Sequence, residues 1–240
     1  MTAAPEQFEE RIALIDDNAD EARSYARIFS GAGRQAVPIS NLQDYASVDA
    51  LLDMLDAEHF NRLVCDLVLN SSQSRIPFNG AEIASKANRR SQPIPAIVFS
   101  SNVGTDDDIE LRKLRVDIPV VLEKREVRDK GREALAATFA EVCEGVIPRE
   151  RRPAPTPIEV IRTNQYGETP TATVVIVGWN VTREIDIPLQ PILDALGLPG
   201  DAALPRWLEA RVNCFAKHEH DLFYQDFTVA PDLPEEWMTG

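Results

Sequence analysis

The chain has 240 residues, 39 Asp and Glu against 25 Lys and Arg, and a formal net charge of −14 at pH 7. So negative an average repels nucleic-acid phosphates unless a basic patch overrides it, and the densest basic run, Arg149, Arg151 and Arg152, is interrupted by Glu150. The hydrophobic share of 44% suffices for a packed core, while no stretch approaches an apolar membrane span and MTAAPEQFEE lacks the basic-then-apolar pattern of a secretory signal.

Residues 11–146 alternate between strand and helix patterns. RIALID (11–16) is a short apolar run of buried-strand type. Asn18 is placed to cap a helix whose inner face carries Ala22, Tyr25, Ala26 and Phe29, and Gly31 and Gly33 end it. QAVPI (35–39) is a second strand. Residues 43–58 form an amphipathic helix with Val48, Leu51, Leu52 and Leu55 inward. RLVCDLVL (62–69) is the third strand, Gly80 to Ala87 opens the third helix, and IPAIVF (94–99) is the fourth strand. Thr105 with Asp108 marks a helix start. IPVVLEK (118–124) is the fifth strand, and a long helix over about 126–146 closes the unit. Five apolar strands alternating with helices predict an α/β fold, a doubly wound parallel sheet covered on both faces.

The proline- and charge-rich segment 147–157 reads as a semi-rigid linker. Beyond it the period changes to two: IEVIRTN, TATVVIVGWN and TREIDIP read as strands, LQPILDAL as one short helix, and residues 209–229 as two strands around a turn near 218–221. The expected organisation is therefore a domain over 10–146, a linker over 147–157, and a small strand-rich α+β domain over 158–240. Cys65, Cys143 and Cys214 are odd in number and far apart, so they form neither a metal spacing nor a disulfide framework, and a reducing cytoplasm is the expected compartment.

In an open parallel sheet, chemistry collects at the carboxyl ends of the strands. Asp16 and Asp17 follow strand one, Asp66 stands near the end of strand three, Ser100 and Ser101 follow strand four, and Lys124 ends strand five. Three carboxylates, a hydroxyl and an ammonium would share one rim. Clustered carboxylates repel, and a hard cation such as Mg²⁺, which accepts two or three carboxylates and keeps waters, would remove that repulsion. One carboxylate could then attack phosphorus, with the hydroxyl and ammonium binding the phosphoryl oxygens. Cys65 points to the opposite sheet face from Asp66 and reads as core.

IDD at 15–17, the aspartate of VCDLVL, the serine of VFSS and the lysine of VLEK together resemble the receiver domain of bacterial two-component response regulators, over about the first 60% of the chain. The resemblance implies a flavodoxin-like fold with Asp66 as phospho-acceptor and Asp16 and Asp17 as the metal-binding acids. It also implies that the Val68 carbonyl completes the protein ligands of Mg²⁺, that Ser100 follows the phosphoryl group, and that Lys124 is the ion-pair lysine. A histidine kinase or phosphotransfer protein is the implied phosphodonor. Enzymatic activity would be limited to self-phosphorylation and autodephosphorylation. Three departures stand out. Gly80 comes 14 residues after Asp66, where the family has a glycine about eight residues on. Arg125 occupies a common proline position, and Val121 the aromatic switch position. Signal transfer is then expected through Ser100, the strand-four loop and the last helix. Val68 and Asn102 occupy positions that tune hydrolysis, and an apolar Val68, unable to orient a water, implies slow phosphoryl loss.

Residues 158–240 hold five Arg and Lys against 13 Asp and Glu, a net of −8, with no helix-turn-helix pattern, so the expected output is contact with a protein effector rather than nucleic acid or membrane. A homodimer is left open. Two alternatives stand beside this: a pseudo-receiver scaffold not switched by phosphorylation, motivated by the long polar loop after Asp66, and an enzyme in the C-terminal domain, resting on His218, Glu219, His220 and Asp221. The last set lacks a third ligand at zinc spacing and reads more simply as a polar turn. GAGRQA (31–36) follows a helix rather than a strand and is a turn, not a dinucleotide loop. Trp179, Trp207, Phe215, Phe223, Tyr224 and Phe227 are expected in the core.

Overall fold

The structure, a computed structural model, describes residues 10–31, 33–39, 41–69, 76–101, 111, 114–144, 151–165, 169–217 and 219–231. Two compact units emerge. The first comprises the described residues of 1–107 and 117–146, the second those of 108–116 and 147–240.

In the first unit, β1 (Glu10–Ile15), β2 (Arg34–Ile39), β3 (Arg62–Asp66), β4 (Ala96–Ser100) and β5 (Val121–Glu123) form one sheet in the order β2-β1-β3-β4-β5. Every pairing is parallel. This is the doubly wound, flavodoxin-like order, which leaves a crevice where the chain switches direction between β1 and β3. The helices are α1 (Ala19–Phe29), α2 (Val48–Ala57), α3 (Gly80–Arg89), α4 (Lys124–Lys130) and α5 (Arg132–Glu144). Tyr25 and Phe29 of α1 and Leu135 and Phe139 of α5 pack in one core with Ile12, Leu14, Val64, Ile97 and Phe99 of the strands. Strand residues of the other parity, Ala13, Ile15, Leu63 and Cys65, are fully buried too, and α3 packs on β3 and β4 and against α2. Burial on both faces explains why the strands read as near-continuous apolar runs.

The element boundaries differ from expectation where local chemistry intervenes. The helix expected at 43–58 starts later, because Ser47 accepts a hydrogen bond from the Ala50 N–H and caps α2. The long final helix is two helices. Gly131, with φ 57° and ψ −129°, adopts a conformation open to glycine and breaks α4 from α5. Strand five is only three residues long, and Lys124 is the first residue of α4 rather than the end of a strand. The helix start expected at Thr105 and Asp108 lies outside the described residues.

The second unit is an antiparallel five-stranded sheet in the order β10-β9-β6-β7-β8. Its elements are β6 (Ala154–Asn164), β7 (Thr171–Ile176), β8 (Glu184–Pro188), α6 (Leu189–Leu196), β9 (Trp207–Val212) and β10 (Tyr224–Val229). Residues 154–157 of the proline-rich segment belong to β6. Leu111 and residues 114–116, which precede β5 in the chain, group with this unit, and the Arg115 Nε–H donates to the Leu222 carbonyl at 3.3 Å. Its core joins Ile158, Val174, Ile185, Ile192, Leu208 and Tyr224. Phe223 and Phe227 are buried as expected, whereas Phe215 is 65% exposed and does not belong to the core.

Candidate functional site

Register brings the polar residues to one rim. Ile15 pairs with Cys65, Asp66 with Phe99, and Ser100 with Glu123, so the residues that end β3 and β4 stand level with those that follow β1 and β5. Asp16, Asp17, Asp66, Val68, Ser100 and Lys124 all line one open cavity of about 440 Å³. All six residues singled out from the sequence are therefore in the same place.

The acid pair sits at a turn with two successive side-chain caps. Asp16 Oδ1 accepts from the Asn18 N–H at 2.8 Å, and Asn18 Oδ1 accepts from the N–H groups of Asp20 and Glu21 at 3.1 and 3.2 Å. This fixes the exit from β1 into α1 and satisfies donors that a helix start leaves open. One carboxylate oxygen each from Asp16, Asp17 and Asp66 lie within 4.8 Å of one another. Opposite them, the Lys124 Nζ donates to Asp66 Oδ2 at 2.8 Å and to Asp16 Oδ2 at 3.0 Å. The ammonium also lies 4.9 Å from the centre of the Phe99 ring, so its stem is packed as well as paired.

The electrostatics follow from burial. Asp66 is 8% exposed, and its pKa is raised to about 6, chiefly by desolvation. Lys124 pulls it down, while Asp16 and Asp17 push it up. Desolvation also raises Asp16, again against Lys124. Burial alone would lower the Lys124 ammonium, but Asp66, Glu21 and Asp16 outweigh it and hold it above its ordinary value. One ammonium facing several carboxylates leaves an excess of negative charge in a partly dehydrated cavity. Hard carboxylate oxygens at this spacing fit a divalent cation of the Mg²⁺ or Ca²⁺ type, which would neutralise that excess.

No family model matches the sequence, and neither does any curated protein. Among solved structures, a sensor protein from Polaromonas sp. JS666 matches at 16% identity and a TM-score of 0.42, over 58% of this chain and 99% of its own. A CheY-like response regulator receiver domain protein from Methanospirillum hungatei JF-1 matches at 18% identity and a TM-score of 0.38, over 55% and 98%. A Burkholderia pseudomallei response regulator, crystallised with a phosphorylated aspartic acid, a calcium ion and citrate, matches at 18% and 0.40, over 57% and 71%. The first unit is similar to receiver domains of known structure.

Two residues of the first unit were not singled out from the sequence as parts of the site. Glu21, in the first turn of α1, places Oε2 2.9 Å from the Lys124 Nζ and gives the ammonium a third carboxylate. Its signal was its spacing, one helical turn before the inward-facing Tyr25. Gly80 counted only as a glycine six residues too late. In the structure its backbone lies against the Asp66 peptide: a Cβ there would stand 1.7 Å from the Asp66 carbonyl oxygen. Its N–H donates to the Leu67 carbonyl at 3.1 Å, and Asn79 and Glu82 form a reciprocal capping box around it. The start of α3 thus lies against the end of β3, with Ile76 and Phe78 buried just before the helix. Cys65 is fully buried with its thiol pKa raised, as a core residue should be. In the second unit, the Glu219 carboxylate pairs with Arg183 at 2.9 Å. His218 lies outside the described residues.

Proposed function

We propose that this chain is a two-component response regulator that accepts a phosphoryl group on Asp66 and signals through protein contacts. The observation that carries the reading is the Lys124 ammonium bridging Asp66 and Asp16 in the cavity that also holds Asp17 and Ser100. A histidine kinase or phosphotransfer protein in the cytoplasm is the natural donor, and acetyl phosphate the simplest one. An Asp66 carboxylate oxygen attacks phosphorus, the bond from phosphorus to the donor breaks, and the leaving group departs with the electron pair. The product is an aspartyl phosphate. The attacking carboxylate must be deprotonated, and Lys124 favours that form. The ammonium and the Ser100 hydroxyl are the side chains offered to the new phosphoryl oxygens. Asp16, Asp17, Asp66 and the Val68 carbonyl would hold Mg²⁺, which when bound neutralises phosphoryl charge. Val68 is at the cavity, and an apolar side chain at this position cannot orient an attacking water, so phosphoryl loss should be slow.

The direct test is acetyl phosphate with Mg²⁺, read by intact mass. Wild type should gain one phosphoryl group, lost on a scale longer than seconds, and Asp66→Asn should gain none. A folded wild type that stays unmodified would sink the reading. A constitutive scaffold is motivated by the 14-residue interval from Asp66 to Gly80. The abutment of Gly80 on the acceptor peptide weighs against it, as would Mg²⁺ binding that disappears in Asp17→Ala.

Metal removal has a pH signature. The folded pKa of Asp66, about 6, lies above an unfolded value of about 3.9. The folded state then holds this proton more tightly, so its stabilising contribution is complete below about pH 4 and lost as pH rises through 6. In EDTA, the stability of wild type relative to Asp66→Asn should fall by about 1 kcal/mol between pH 5 and 7.5. Saturating Mg²⁺ competes with the proton and should flatten that difference. Urea midpoints at the two pH values check it, and an equal slope with and without Mg²⁺ would argue against metal at Asp66.

A further inference from the structure

Lys124 has three ammonium hydrogens and three carboxylate partners: Asp66 at 2.8 Å, Glu21 at 2.9 Å and Asp16 at 3.0 Å. The first and last belong to the acceptor and its metal-binding neighbour; Glu21 has no part in the reaction proposed above. Its side chain is 38% exposed, against 1% for Asp16, so it is the partner most readily returned to water. Glu21 also stands in a second set of contacts. One turn along α1, the Tyr25 hydroxyl accepts from Arg128 Nε at 3.1 Å, and Arg128 is one turn along α4 from Lys124. Arg128 is held above its ordinary value chiefly by Tyr25, with Glu21 the smallest contribution. Glu21 and Tyr25 on one helix therefore face Lys124 and Arg128 on the other, and Arg128 stands one turn beyond the ammonium that Glu21 holds.

We propose that Glu21 is a positioning residue that competes with the phosphoryl group for Lys124 and, when displaced, turns to Arg128, so that the phosphorylation state of Asp66 is written onto the α1–α4 face. This rests on Asp66 being the acceptor. Phosphorylation replaces a singly charged carboxylate with a nearly dianionic group of strong acceptors. The single ammonium must then serve that group, Asp16 and Glu21 together. The new charge also repels Glu21, and Arg128 offers it a bidentate alternative in place of the single bond to Tyr25. The deepest partner keeps its place and the most exposed one leaves.

The test uses the full chain with Mg²⁺ and sub-saturating acetyl phosphate. E21Q keeps the size of the side chain and a neutral acceptor but removes the charge. Its ratio of phosphorylated to unphosphorylated protein should exceed wild type by about fivefold, the difference between a charge-assisted and a neutral hydrogen bond on the same donor. The second readout is the Arg128 Nε–H resonance in ¹⁵N NMR. It should shift on phosphorylation of wild type and stay in place on phosphorylation of E21Q, which a merely structural role for Glu21 would not produce. A wild type that is phosphorylated with no movement of the Arg128 resonance, or an E21Q ratio equal to wild type, overturns this inference and leaves the receiver reading standing. A wild type that takes up no phosphoryl group overturns both.

Discussion

Replacing Lys124 by Met is expected to destabilise the first unit by about 3 kcal/mol at pH 7.5 and to abolish phosphoryl uptake. Met keeps an unbranched apolar stem of similar length beside Phe99, so the change isolates the charge. What remains is Asp16 and Asp66, both buried, without the ammonium from which they accepted, in a cavity lined also by Asp17 and Glu21. Removing one partner of a buried pair is worse than never having built it, because the survivor keeps its desolvation penalty. The survivors have one escape, which is protonation. Lys124 is the group that lowers Asp66, so in the variant the Asp66 pKa rises above its present value of about 6. The destabilisation should therefore shrink to about half between pH 7.5 and pH 5, and Mg²⁺ at pH 7.5 should restore part of it by supplying the missing positive charge. Urea unfolding followed by far-UV circular dichroism measures the effect. Tryptophan fluorescence separates the units, since Trp179 and Trp207 belong to the second and no tryptophan occurs in the sequence of the first. A variant as stable as wild type at pH 7.5 would mean that the ammonium does not hold the carboxylates together.

The parts of the fold that were legible are those in which sequence distance does not matter. The five parallel strands announce themselves as apolar runs because both faces are covered, and the polar residues at their ends fall in one place because parallel register is set by the same runs. Asp16, Asp17, Asp66, Ser100 and Lys124 could therefore be grouped without coordinates. What was not legible depended on backbone conformation or on side-chain reach. The break at Gly131 is a single positive-φ residue inside a pattern that otherwise continues as helix. Glu21 reaches Lys124 across 103 residues of chain, and as an acid in a first helical turn it is indistinguishable by pattern from one that merely favours the helix dipole. Phe215 carries a core-type side chain into a turn, where composition is a poor guide to exposure. The second unit's strands were visible through their period of two, yet nothing in that pattern names a ligand, and its acidity only disfavours nucleic acid.

Gly80→Ala should be the more damaging of the two changes although it adds one methyl group. The added Cβ would lie 1.7 Å from the Asp66 carbonyl oxygen, 2.7 Å from its carbon and 3.0 Å from the Cys65 sulfur. A flexible side chain could rotate away from such a clash, but here the obstacle is the backbone at the end of a buried strand, between β1 and β4 in the sheet. Either α3 lifts off β3, opening the packing around Ile83 and Ala84, or Asp66 moves. The expected cost is about 3 kcal/mol or more, at the upper end for overpacking because neither neighbour can relax locally. In the fraction that still folds, a displacement of Asp66 by about 1 Å is enough to reduce phosphorylation by about a hundredfold, since in-line attack depends on placement. Gly200→Ala is the control: nothing lies within 4 Å of its added Cβ, and it should change stability by no more than about 0.5 kcal/mol. Both variants are read by thermal unfolding and by acetyl phosphate labelling. If Gly80→Ala unfolds and labels like Gly200→Ala, then α3 does not abut the Asp66 peptide.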